Sequence, residues 1–117
     1  MEISDFGDVL LVPFPFVDLP LSKRRPAVVL SAKHFNAANG QSLLAMITTA
    51  GGSAWPDDIV IEDLAAAGLP KPSVIRFKIF TLPNAMTLKL LGRLGERDAA
   101  ELKSRLAAIF GMEPRTP

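Results

Sequence analysis

Lys23-Arg24-Arg25-Pro26-Ala27-Val28-Val29-Leu30-Ser31 sets three consecutive cations directly in front of a proline-led apolar run. Residues 26–32, β-branched and leucine-rich and bounded by proline and charge, read as a short strand. Three adjacent like charges repel one another, so a cluster of this kind points to an anion held at the strand's start. A solvated basic loop is the plainer alternative. The choice between them depends on what surrounds the stretch.

Working outward, the same strand pattern recurs along the chain. Residues 8–14, 42–49, 58–62, 73–77, 78–82 and 87–94 each read as a strand, with turn residues every eight to twelve positions. Residues 63–67 make at most one helical turn, with Asp63 as its cap and Gly68 as its stop. From Glu96 onward Ala99, Leu102, Leu106 and Ile109 form a helical stripe, and Gly111 is placed to end the helix. About seven short strands and one closing helix predict a mainly β fold, a small partly open barrel. One domain over residues 1–111 and a flexible tail over 112–117 follow from this pattern.

Composition narrows the function classes. A chain of 117 residues can bury one core without staples. Hydrophobic residues make up 49% of it, yet proline, glycine or charge interrupts every apolar run short of a membrane span. Met1-Glu2-Ile3-Ser4-Asp5 is acidic, unlike the opening of a secretory signal. With no cysteine, disulfides and thiolate metal sites are excluded, and a cytoplasmic location is expected. The single histidine, His34, excludes a histidine-cluster metal site within one chain, and no paired acid or nucleophile adjoins it in sequence. Net charge is only +1, so nucleic-acid binding has to come from local patches.

The residues facing Arg25 follow from pairing geometry. If strands 26–32 and 42–49 form an antiparallel hairpin around the 33–41 connection, Arg25 faces roughly position 49. Thr48 and Thr49 then share a rim with it. Side chains alternate, so only one of the two threonines lies on the face of Arg25, and geometry leaves that choice open. A guanidinium beside a hydroxyl at a barrel rim is a reasonable phosphate cradle.

Four segments taken together carry a resemblance: Gly7-Asp8-Val9-Leu10-Leu11-Val12-Pro13-Phe14-Pro15-Phe16, the stretch from Lys23 to Ser31, Ile47-Thr48-Thr49, and Leu91-Gly92-Arg93-Leu94. In this order and at these spacings they resemble the PemK/MazF toxins of bacterial toxin–antitoxin pairs, over nearly the whole chain from about Gly7 to Phe110. The resemblance implies an SH3-like barrel with a C-terminal helix that works as a homodimer. It implies a metal-independent endoribonuclease, without a cofactor, that cuts single-stranded RNA. Its catalytic arginine and threonine fall on Arg25 and Thr48. The reaction it implies is attack of a ribose 2′-OH on the adjacent phosphorus, leaving a 2′,3′-cyclic phosphate and a 5′-hydroxyl. It also implies a cognate antitoxin, whose acidic tail the 23–25 cluster would anchor.

Around this pair stand the candidate substrate-binding residues Lys23, Arg24, Phe16, Thr49 and Trp55. Lys23 and Arg24 suit sequence-blind attraction of phosphates. Phe16, near the loop after the first strand, is placed to touch substrate, whereas Phe14 reads as core. Trp55 has two readings, stacking on an unpaired base or packing as a turn residue beside Pro56 and Asp57. Neither Arg25 nor Thr48 is a comfortable general base, and Asp18 is the nearest acidic candidate in the 15–24 loop. After Ile47-Thr48 many relatives continue with Ser or Ala and then Gln; here Thr49-Ala50-Gly51-Gly52-Ser53-Ala54-Trp55 follows. That departure bears on base preference rather than on the scissile chemistry. Gly92 and Arg93 read as structural, the glycine for close backbone packing and the arginine for an ion pair. Arg76 and Lys78 read as cross-strand or dimer-surface cations. Two rival functions are a protein-poisoning toxin on the same barrel, such as the gyrase-binding CcdB toxins, and a non-catalytic nucleic-acid-binding regulator. The C-terminal segment, Met112-Glu113-Pro114-Arg115-Thr116-Pro117, offers little of the apolar surface the first rival needs.

Overall fold

Consecutive residues of the central strands are buried on opposite sides, so one antiparallel sheet has two apolar faces, and that division governs the architecture. The computed structural model describes residues 2–13 and 23–113. Its strands are β1 (Asp8–Pro13), β2 (Arg24–Val29), β3 (Gln41–Thr49), β4 (Ile59–Val60), β5 (Ser73–Pro83) and β6 (Lys89–Arg93). They hydrogen-bond in the order β4-β5-β3-β2-β1-β6, curled into a half-barrel. Helices α1 (Lys33–Asn39), α2 (Leu64–Ala67) and α3 (Glu96–Ile109) lie between and after them. The chain is therefore mainly β with a C-terminal helix, as its sequence pattern predicts.

One face carries Val9, Val28, Ala45, Ile47, Ile59 and Ile75, with Leu102 of α3 inserted among them. The other carries Leu10, Val12, Ala27, Val29, Leu44, Phe80 and Leu82. Period-two alternation sends successive side chains to opposite faces, so both clusters come from the same strands. Ala99 and Leu106 flank Leu102 on α3, whereas Ile109 keeps 37% of its surface exposed and lies outside the packed cluster. The buried carboxylate of Asp98 fixes the start of α3 to the chain before α2, accepting from the backbone N–H groups of Glu62 and Asp63. At the other end, Gly111 takes φ +67° and donates its N–H to Ala108. Met112 donates to Ala107, which completes a Schellman cap.

Two details depart from the sequence reading. Residues 73–77 and 78–82 are one strand, β5, so the described residues form six strands where the sequence reading has about seven. Ala45 pairs with Ile79 and Met46 with Arg76, so the register shifts by two residues, Phe77 and Lys78, between these pairs. The apparent break in sequence is thus a bulge, which bends a strand without ending it. The 33–41 connection is also no open loop, because it folds into α1. Asn36 of α1 is fully buried and donates to the backbone carbonyls of Ser4 and Ser31. Asn84 donates in turn to the carbonyl of Asn36 and accepts from Ser42. This polar chain ties α1, β3 and the turn after β5 together, and it accounts for the order of the connection. Of the expected tail, residues 114–117 lie outside the described residues.

Candidate functional site

The start of β2 and the end of β3 meet at one end of the sheet. Ala27 pairs with Met46, Val28 with Ala45 and Val29 with Leu44. Continuing that register two residues further sets Arg25 opposite Thr48. This agrees with the expected partner at roughly position 49. Alternation then separates the two threonines. Arg25 shares its face with Ala27 and with its β1 partner Val12, and Thr48 shares it with Met46 and Leu44. Thr49 falls on the opposite face, exposed beside its partner Ser73.

The surroundings of the pair suit an anion. Arg25, Arg24 and Lys23 are exposed, and their side chains form no ion pair with another described residue. Thr48 is half-buried, held on its other side against Val74 of β5. Arg24, paired with Pro13, alternates to the other face. Phe16 and Asp18 lie outside the described residues. A hollow of about 440 Å³ elsewhere is lined by Glu2, Asp5, Asp8, Lys33 and Arg93, among others, and includes none of the rim residues.

Next to Thr48 on the same face stands a second constellation. Arg76 pairs with Met46, one diagonal step from Thr48 across the β3–β5 ladder. Its Nη2 donates to Asp58 Oδ2 at 2.9 Å and to the Ser53 carbonyl at 2.8 Å, and its Nε donates to Asp58 Oδ1 at 3.3 Å. Trp55 donates its N–H to Asp58 Oδ2 at 3.0 Å and accepts from the Asp58 N–H at 3.3 Å. The guanidinium lies 5.0 Å from the centre of the Trp55 ring. The hydrogen bonds from Arg76 hold the Asp58 carboxyl below its ordinary range, and the carboxylate in return raises the guanidinium. Trp55 is therefore anchored as a packed turn residue and still leaves 45% of its surface exposed. The sequence reading missed the roles of Asp58 and Arg76, since nothing local signals a pair 18 positions apart. The Trp55-Pro56-Asp57-Asp58 turn was the available hint, and Asp57 there takes φ +70°.

Other sequence candidates resolve simply. Arg93 pairs with Asp8 at 2.9 Å. A side chain at Gly92 would run into the backbone of Ala66 and Ala67. His34 sits exposed on α1, and no group of three or more potential metal ligands exists among the described residues. No helix of the described residues is long and apolar enough to cross a membrane.

Comparison with known proteins adds a family. A sequence model described as "PemK-like, MazF-like toxin of type II toxin-antitoxin system" matches residues 5–110. No curated protein matches the chain by sequence. Among solved structures, MazF in a MazE–MazF crystal from Deinococcus radiodurans is similar, with TM-score 0.73 and 21% identity over 97% of this chain and 100% of that one. An endoribonuclease solved with its cognate antitoxin, from a mycobacterial species, gives TM-score 0.74 at 16% identity over 98% and 100%. The Mycobacterium tuberculosis toxin MazF-mt6 gives TM-score 0.71 at 18% identity over 92% and 99%. At these identities the likeness is one of fold.

Proposed function

The chain belongs to the family of PemK-like, MazF-like toxins of type II toxin–antitoxin systems, and on that premise we propose that it is a metal-independent endoribonuclease that cuts single-stranded RNA. The observation that carries the reading is the β2–β3 register through Ala27 and Met46, which, carried two residues further, brings Arg25 and Thr48 to one face of the rim, with the cation free of any ion pair among the described residues. The ribose 2′-oxygen attacks the adjacent phosphorus and loses its proton to a base. The bond from phosphorus to the 5′-oxygen breaks, and that oxygen takes up a proton. The products are a 2′,3′-cyclic phosphate and a 5′-hydroxyl.

Negative charge grows on the non-bridging oxygens as the phosphorus becomes five-coordinate. A preorganised guanidinium stabilises that charge without reorganising, and its fork matches two oxygens at once. Thr48, held against Val74, donates a hydrogen bond to the same phosphate. Lys23 and Arg24 attract neighbouring phosphates, while Phe16, Thr49 and Trp55 contact the flanking nucleotides. The protein works in the cytoplasm as a homodimer, with residues 1–111 as its working domain and 112–117 as a tail. Its cognate antitoxin neutralises it by covering the cationic rim, and the solved complexes of similar fold support that partner.

The test incubates the purified protein with a long, weakly structured RNA in excess EDTA and maps the cut ends. Discrete cuts with 5′-hydroxyl ends are expected, falling about a hundred- to a thousand-fold in rate for Arg25→Ala. Equal cutting by Arg25→Ala would overturn the catalytic assignment. No cutting by the folded parent would move the reading to a protein-poisoning toxin or a binding module.

A further inference from the structure

Trp55 is the chain's one tryptophan, and the chain contains no tyrosine. It sits on the loop that leaves β3 directly after Thr49, and the structure fixes it from three directions. Its backbone N–H and carbonyl both bond to Asp58, at 3.0 and 3.3 Å. Asp58 is clamped by two nitrogens of Arg76. Arg76 also grips the Ser53 carbonyl ahead of the tryptophan and lies against the indole at 5.0 Å. The side chains of Asp58 and Arg76 are only 12% and 16% exposed, so this clamp is far more sheltered than the surface pair of Arg97 with Glu62.

A turn needs no such apparatus merely to reverse the chain. What the clamp achieves is a large aromatic plate backed by a cation and held with 45% of its surface in water. Register places the arginine behind it near the rim: Arg76 pairs with Met46, Thr48 is the next residue of β3 on that face, and Asp58 leads into β4 on the outer side of β5. An aromatic plate beside a cationic phosphate track is the arrangement by which proteins hold unpaired bases, because every base has a face to stack.

We propose that Trp55 is a base-stacking platform for the nucleotide flanking the scissile phosphate, and that Asp58 and Arg76 are positioning residues that hold the platform against the end of β3. The inference rests on the ribonuclease reading and deepens it, since it assigns reading of the flanking base to stacking at this loop.

Because indole emission comes from Trp55 alone, binding can be read without cleavage. The probe is an end-labelled, fully 2′-O-methylated RNA decamer of mixed sequence, which lacks the attacking hydroxyl. An abasic oligomer of the same length and charge is the control. The decamer should quench Trp55 emission saturably and the abasic oligomer should not. By anisotropy, Trp55→Leu should weaken decamer binding about 5- to 150-fold, while Trp55→Phe stays within about threefold of the parent. Arg76→Gln should weaken it comparably, but add nothing in a Trp55→Leu background, which a merely structural role would not reproduce. Decamer binding that leaves the parent's emission unchanged, or that is as tight in Trp55→Leu as in the parent, would overturn the platform and leave the ribonuclease intact. A parent that neither binds the decamer nor cuts all-ribose RNA would overturn both readings together.

Discussion

At Gly92 the space a side chain would occupy is already taken by backbone. A Cβ there would meet the carbonyl of Ala66 and come within 2.6 and 2.8 Å of the Ala67 carbonyl carbon and oxygen. Those atoms belong to α2 and cannot swing aside like the end of a long side chain. Gly92→Ala should therefore destabilise the protein by about 1–3 kcal/mol, read from urea unfolding, although the added methyl is apolar. An unchanged midpoint would mean that α2 shifts freely. The sequence declared this glycine's role through the Leu91-Gly92-Arg93-Leu94 element, but it could not name α2 as the neighbour, because 25 positions separate Gly92 from Ala67. Thr48 shows a similar limit. Alternation excludes one of two adjacent threonines, yet choosing which required the register of β2 on β3 to within one residue. At the rim itself, Arg25→Lys keeps the charge and loses the two-pronged fork. Its cutting rate should fall between those of the parent and Arg25→Ala in the same end-mapping assay, and parental activity would show that charge alone suffices.

Among the elements, the loop between β3 and β4 is tied down by two ion pairs, Arg76 with Asp58 at 2.9 Å and Arg105 with Asp57 at 3.6 Å, and the first is the more sheltered. Hydrogen bonds from Arg76 lower the Asp58 carboxyl below its ordinary value. A carboxyl that is more acidic folded than unfolded adds stability above its unfolded value of about 3.9, and loses that contribution as pH falls through the folded value. Asp5, lowered by the backbone N–H groups of Lys33 and Phe6, acts with the same sign. Urea midpoints measured from pH 6 down to pH 2 should therefore fall less steeply for Asp58→Asn than for the parent, Asp5 being common to both. Identical slopes would show that the pair carries no linked stability. None of this was legible beforehand. Strand periodicity located β4 and β5 but gave no reason to join Asp58 to Arg76, and the bulge at Phe77 and Lys78 looked like a chain break because the alternation resets there. By contrast, the stripe of α3 and its Gly111 cap were readable, since helix spacing and a C-terminal glycine are local signals.

For the whole molecule, a net charge of +1 conceals an uneven distribution. Lys23, Arg24 and Arg25 lie exposed at one end of the sheet, whereas Arg93, Arg97 and Arg105 are each paired with acids. Three phosphate contacts at the rim give a slope of about −2 when the logarithm of single-stranded RNA affinity is plotted against that of salt concentration. Lys23→Ala should flatten the slope by about 0.7, measured by anisotropy on the uncleavable decamer. A slope near zero would remove phosphate attraction from the account. Fold class was readable at this scale because alternating strands and one late helix admit few architectures. The strand order was not, since it depends on pairings such as Asp8 with Arg93, 85 positions apart. That pairing has a consequence in time. A chain emerging from the ribosome holds Arg25 and Thr48 early, but β1 has no outer neighbour until Lys89–Arg93 is made, and the cluster around Ile47 has no lid until Leu102 of α3 follows. The rim that bears Arg25 and Thr48 is thus translated first and completed last, so a nascent chain carries both residues well before it carries the fold around them.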